Sequence, residues 1–163
     1  MKEATLCYVI RGNPAQDVLL GYKKTGFGLG KYVGFGGKIE AGETTAEAAV
    51  RELAEESGLR VGVEDLQSLG QVTFLFPHRP DWDHLVHLFL ARTWRGVPTE
   101  SAEMRPEWFP IGQIPYHLMW DDSRYFLPLA LDGHPIRALF TYQADNASVD
   151  RVKLEVRVNG KWQ

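Results

Sequence analysis

One stretch of the chain is marked as a helix at both ends. Thr44 and Glu47, three residues apart, form a capping box, and Gly58 supplies a C-terminal stop. The spacing therefore predicts a helix from about Thr45 to Ser57, with Ala46, Ala49, Val50 and Leu53 as its apolar face. The flanking segments read differently. Residues 5–10 and 18–23 are strand-like around a turn at Gly12-Asn13-Pro14, and 26–37 is rich in glycine. Further strands are expected at 69–76, 85–94, 107–110, 136–143 and 150–158. A second helix is expected from Asp122 to Leu131, capped by Asp122 or Ser123, with a kink or a late first turn at Pro128. Strands, helix, strands, helix, strands predict an α/β chain with a mixed sheet between helices.

No repeat or Pro/Gly/Ser linker divides the 163 residues, so a single domain over 1–163 is expected. A chain this long buries roughly two-thirds of its surface and needs no disulfide to fold. Its 44% hydrophobic and 24% charged residues exclude a disordered chain, a collagen and a coiled coil. A net charge of -3 argues against broad capture of nucleic acid, so no nucleic-acid partner is expected. No twenty-residue apolar run spans a membrane, and Met1-Lys2-Glu3-Ala4 does not read as a secretion signal. The single cysteine, Cys7, lies in an apolar run and reads as a buried thiol. A reducing, cytoplasmic setting and a monomer are the expectations.

The most informative segment is Arg51-Glu52-Leu53-Ala54-Glu55-Glu56-Ser57-Gly58. On a helix Glu52 lies three residues from Glu55 and four from Glu56, so all three can face one region. Glu47, Arg51 and Glu55 read as an ordinary i,i+4 surface ladder. Glu52 and Glu56 have no such partner on the helix, repel each other, and sit in its last two turns, where the dipole disfavours anions by ~0.3–1 kcal/mol each. A divalent cation removes that repulsion, and hard carboxylate oxygens suit Mg²⁺ or Mn²⁺. Upstream, Gly34-Phe35-Gly36-Gly37 lets backbone approach a ligand closely. A phosphate-binding P-loop fails, because Thr25 and Tyr32 stand where it needs Gly and Ser or Thr. A dinucleotide fingerprint fails because the helix opens too late.

Gly37, five residues, Glu43, seven residues and Arg51-Glu52-Leu53-Ala54-Glu55-Glu56-Ser57-Gly58-Leu59 match the full Nudix box. The chain thus resembles the Nudix hydrolases, which cleave nucleoside diphosphates linked to another group with divalent metal. Gly21 to Gly28, Phe74-Leu75-Phe76, Glu103 to Phe109 and Met119-Trp120 through Pro128 resemble the oxidised-purine nucleoside triphosphatases of that family. The resemblance implies a Nudix-type α/β/α sandwich. It implies Mg²⁺-dependent hydrolysis of 8-oxo-dGTP and related nucleotides to monophosphate and pyrophosphate. It makes Glu52, Glu55 and Glu56 metal ligands, with Gly37 and Glu100 beside them, and Glu56 or Glu100 the base that steers or deprotonates water. Arg51 would orient a glutamate, Glu43 would brace the loop, and Lys23 would hold substrate.

A purine needs flat apolar walls and polar groups at its edge. Phe27, Phe74, Phe76 and Trp120 are candidates for the walls, and Asp121 and Asp122 for the edge. Asp122 stands where the family has the first of two aspartates, Ser123 takes the second place, and Asp121 fills a variable one. Val33 replaces an asparagine that reads the base, so sharp base selectivity is not expected. His84 and His87, three apart in a strand, point to opposite faces and read as structural or surface residues, and His78, His117 and His134 as isolated. Two alternatives stand beside the triphosphatase: hydrolysis of another nucleoside diphosphate derivative or of many nucleotides, and a nucleotide sensor without turnover.

Overall fold

In the computed structural model, which describes residues 1–163, nine strands and two helices follow in order. They are β1 Lys2–Arg11, β2 Asp17–Lys23, β3 Tyr32–Val33, α1 Thr45–Ser57, β4 Leu66–Leu75, β5 His84–Ala91, β6 Met104–Pro110, α2 Ser123–Leu131, β7 Ile136–Tyr142, β8 Val149–Val158 and β9 Lys161–Trp162. The sheet order is β3-β2-β1-β5-β4-β7-β8-β9, and β6 pairs with β2. It is mixed: β1–β5 and β4–β7 are parallel, the other pairs antiparallel.

Side chains alternate across a strand, and β1 shows the result. Tyr8 and Ile10 join a larger cluster with Phe126, Leu127 and Ala130 of α2. Cys7 and Val9 join a smaller one with Ala49 and Leu53 of α1. The helices therefore cover opposite faces, which is the expected α/β/α sandwich.

A split in the sheet positions the glycine-rich segment. β1 pairs with β2 only from Val9 to Arg11. Below that the strands part and residues 33–38 enter the gap, with Cys7 and Phe35 exchanging backbone bonds and Thr5 N–H donating to Gly37 C=O at 2.9 Å. A Cβ on Gly36 would lie 1.8 Å from the Thr5 carbonyl oxygen, so only glycine fits there.

α1 has the expected ends: Thr44 and Glu47 form the reciprocal cap and Gly58 is left-handed. α2 departs from expectation. Asp122 has helical dihedrals and makes no cap, and Ser123 Oγ turns to the Asp122 carboxylate. Pro128 lies well past the first turn of a helix that continues to Leu131. The strand expected at 107–110 begins at Met104, because an edge strand paired only to β2 tolerates Pro106. The strand expected to reach 94 ends at Ala91. β3 and β9, two residues each, carry no pattern to read.

Candidate active site

α1 delivers two of its glutamates to consecutive glycines. Glu56 is buried, 3% exposed, and Gly36 N–H donates to its Oε1 at 2.8 Å. Lys23 Nζ stands 3.9 Å from Glu56 Oε2 and 3.7 Å from Glu103 Oε2. Burial pushes the Glu56 carboxyl up to about 7. The Gly36 N–H and Lys23 oppose that rise, and the Glu52 and Glu103 charges add to it. Glu52 lies against the next glycine: a Cβ on Gly37 would come within 2.7 Å of its carboxyl carbon. Burial raises Glu52 as well, against the pull of Arg51. Glu55 points outward, 58% exposed, in a long contact with Arg51.

Arg51 ties the loop before α1 to these acids. Its Nε and Nη2 donate to the two oxygens of Glu43 at 2.7 and 2.9 Å, a forked pair. Nη2 also donates to Lys38 C=O at 3.0 Å, and Nη1 to Glu52 Oε1 at 3.0 Å. Arg51 and the Glu40 N–H hold Glu43 below the usual carboxylate range. The expected ladder from Glu47 to Arg51 does not form, because Glu47 reaches back to Thr44 N–H at 2.8 Å. Glu100 is 54% exposed and bonded to Lys24, which lowers its proton affinity.

Beside the two glycines opens a cavity of about 580 Å³. Phe27, Val33, Phe74, Phe76, Trp82, His84, Trp120, Asp122 and Ser123 line it together with Lys23, Gly36, Gly37 and Glu56. Phe27 is stacked on Trp120 with centroids 4.9 Å apart. No third ring fits between them, and Lys31 Nζ lies 5.0 Å from the Trp120 ring centroid. Asp122 is 5% exposed and accepts from the Tyr142 hydroxyl, and burial pushes it up to about 7.

Of the residues proposed from sequence, the structure thus gathers Lys23, Phe27, Val33, Gly37, Glu56, Phe74, Phe76, Trp120 and Asp122 around one cavity. Glu52 and Arg51 stand just behind Gly37; Glu55, Glu100 and Asp121 lie outside the lining. Asp121 does not make up for the carboxylate missing at Ser123. Its oxygens accept from Arg124 Nε and Val149 N–H, both at 2.8 Å, and fasten β8 to the start of α2.

Sequence reasoning missed three residues. Glu103 faces Lys23, and its charge raises the proton affinity of half-buried Glu52 and buried Glu56. His84 stacks on Phe74 at 4.9 Å, with Nδ1 2.7 Å from Trp82 C=O. Alternation correctly separated His84 from His87; what put His84 in the cavity is its register opposite Phe74. Tyr142 ends a strand whose pattern gives no sign of a polar role.

Residues 2–130 match the NUDIX domain. The chain belongs to the Nudix family. Among relatives, the oxidized purine nucleoside triphosphate hydrolase of Mus musculus is 47% identical over 128 residues, 78% of this chain and 80% of its own length. The protein of the same name from Danio rerio is 45% identical over 139 residues, 85% and 87% of the two chains. The MutT protein of Bacillus halodurans shares the fold, with a TM-score of 0.79, 24% identity and coverage of 94% and 97%. The chain is a Nudix hydrolase, an enzyme class that acts on small nucleotides and generally uses divalent metal, typically Mg²⁺. No helix is long and apolar enough to cross a membrane.

The residues present fit such an ion. No three acidic, His or Cys side chains converge as a closed cluster. The donors around Gly36 and Gly37 are nevertheless all hard oxygens; the Glu52 charge raises the proton affinity of Glu56, and the Glu55 and Glu103 charges raise that of Glu52. Lys23 at 3.9 Å is beyond hydrogen-bond reach of Glu56 Oε2, which leaves that oxygen facing a net excess of negative charge.

Proposed function

We propose that this Nudix hydrolase cleaves purine nucleoside triphosphates, oxidised ones such as 8-oxo-dGTP included, to monophosphate and pyrophosphate. It would thereby clear them from the precursor pool. One observation carries the reading: the aromatic walls and Asp122 line the same cavity as Glu56, Lys23 and the paired glycines. A ligand with a flat ring and a polyphosphate matches both parts. The mouse and zebrafish relatives, named for such substrates, support it. The same reading places the protein in the cytoplasm as a monomer.

Glu52 and Glu56, with the Gly37 carbonyl, would hold Mg²⁺ or Mn²⁺; Glu55 and Glu100 reach it only by moving. Bound there, the ion supplies charge neutralisation at phosphate oxygens. The chain's own residues do the rest. Trp120 and the exposed Phe27 offer ring surface, with Phe74 and Phe76 packed behind them, and stacking on an aromatic is worth roughly 1–3 kcal/mol per base. Lys23 orients the phosphates. Glu56, fixed by the Gly36 N–H, takes the proton of the attacking water. Arg51 and Glu43 keep Glu52 and the loop in place.

A second reading, broad specificity, has its own observation: Val33 lines the cavity and can neither donate nor accept. Incubation with Mg²⁺ and a panel of nucleotides, following pyrophosphate release, tests both. Release from purine triphosphates is expected, fastest with oxidised bases; equal rates for purines and pyrimidines favour breadth. No pyrophosphate from any purine triphosphate overturns the proposal.

A further inference from the structure

Asp122 is held by a neighbour that the motifs do not contain. Its backbone N–H donates to Tyr142 Oη at 3.3 Å, and Tyr142 Oη donates to its Oδ2 at 2.5 Å. The first bond occupies a lone pair of the hydroxyl and thereby aims the hydroxyl proton at Oδ2. The other oxygen, Oδ1, has only Ser123 Oγ within reach, at 3.5 Å. The tyrosine is itself fixed: it is 1% exposed, stacked on Phe76 with centroids 4.6 Å apart, and edge-on to Trp120. A register shift between Thr141 and Tyr142, where β7 meets β8, accompanies this placement.

We infer that Tyr142 is a positioning residue for base recognition, whose hydroxyl fixes the Asp122 carboxylate so that Oδ1 alone meets the base edge. The inference rests on the reading above in that a base enters this cavity. Its consequence follows from proton bookkeeping. Burial and the Asp122 charge keep the Tyr142 hydroxyl protonated far above neutrality, so Oδ2 always receives its proton. A proton taken up by the carboxyl therefore goes to Oδ1. Neutral Asp122 donates to the base, and ionised Asp122 accepts from it. Burial places the exchange between these forms at about 7. The groups facing Asp122 are Tyr142 from β7, Tyr8 from β1, and Ser123 and Asp121 beside it, the last turned to Arg124 and Val149. One atom then reads an acceptor edge below neutrality and a donor edge above it.

Tyr142→Phe keeps the ring and removes the hydroxyl. KM and kcat for dGTP, 8-oxo-dGTP and dATP between pH 6 and 9, with Mg²⁺, provide the test. In the wild type the KM ratio between guanine and adenine triphosphates changes with an inflection near 7. In the variant that inflection moves to higher pH, because a donor to the carboxylate is lost. The KM ratio shrinks about tenfold, since polar edge contacts carry the large ratios, and kcat stays within about threefold. Asp122→Asn abolishes the inflection, and Tyr142→Phe on that background changes KM no further. A folded Tyr142→Phe protein with the wild-type ratio and inflection overturns the inference, and so do additive effects in the double variant. If the wild type cleaves no purine triphosphate, the proposed function fails by itself. The inference is then decided without nucleotide, by the infrared carbonyl band of neutral Asp122, identified by its loss in Asp122→Asn. Its titration moves to higher pH in Tyr142→Phe, and an unmoved titration overturns it.

Discussion

Glu56 and Asp122 are buried carboxyls lining one cavity, and burial lifts both to about 7. They are held in opposite ways. Glu56 rests on a backbone N–H and stands among ions: Lys23 on one side, Glu52 and Glu103 on the other. Asp122 rests on a tyrosine hydroxyl inside an aromatic box. An excess of negative charge calls for a cation, whereas an aromatic box with one free oxygen calls for a base. The difference divides the cavity into a phosphate part and a base part.

The largest effect that would break this division is at Glu56. Glu56→Gln keeps the size and one acceptor for Gly36 but cannot hold a proton from water or a full charge for metal. Turnover falls about 10³-fold while triphosphate KM stays within a few-fold, measured by pyrophosphate release. Wild-type rates would remove Glu56 from the chemistry. Next comes stability. Both carboxyls bind protons more tightly folded than unfolded, so the folded state carries extra protons between about pH 4 and 7. Their contribution is full below that window and is lost as pH rises through it, about 3 kcal/mol for Glu56 and about 4 kcal/mol for Asp122 at 1.36 kcal/mol per unit. Metal-free protein is therefore expected to melt several degrees lower at pH 8 than at pH 5. Asp122→Asn and Glu56→Gln each flatten the trend, and Mg²⁺ offsets it in the wild type. A melting temperature that rises from pH 5 to 8 would contradict the account.

Smaller effects sharpen the base side. Trp120→Ala raises KM for purine triphosphates 10- to 100-fold, from the roughly 1–3 kcal/mol of a stacked base, and leaves kcat nearly unchanged. Val33→Asn restores a donor and an acceptor beside the cavity. Discrimination among purines sharpens about tenfold, and an unchanged preference shows that position 33 does not face the base. Smallest is Thr44→Ala, which removes the helix cap. It costs about 1 kcal/mol of stability in a denaturant melt and leaves base preference untouched.

The two parts were not equally legible in the sequence. The phosphate part is local: Gly37 to Leu59 is one segment, and the cap, helix period and carboxylate spacing place its residues without knowledge of the rest. Even there, Arg51 was assigned a ladder that capping geometry diverts, and Glu103 escaped because it comes from β6. The base part is assembled from β1, β4, β5, α2 and β7, so its members depend on register. Aromatic residues were found by type. His84 and Tyr142 needed the β4–β5 pairing and the shift at the end of β7. Asp121 and Asp122 are adjacent in the chain, yet one fastens β8 and the other lines the cavity, and no local pattern separates them.

The central claim is that one ligand spans both parts. Titration of a purine nucleoside and its triphosphate into Glu56→Gln, with and without Mg²⁺, reads it through tryptophan fluorescence, with Trp120→Phe identifying the reporter. Both ligands are expected to quench the same signal and to compete, and Mg²⁺ is expected to tighten triphosphate binding through Glu52 and the Gly37 carbonyl while leaving the nucleoside unaffected. Triphosphate binding that neither quenches Trp120 nor displaces the nucleoside would contradict the account.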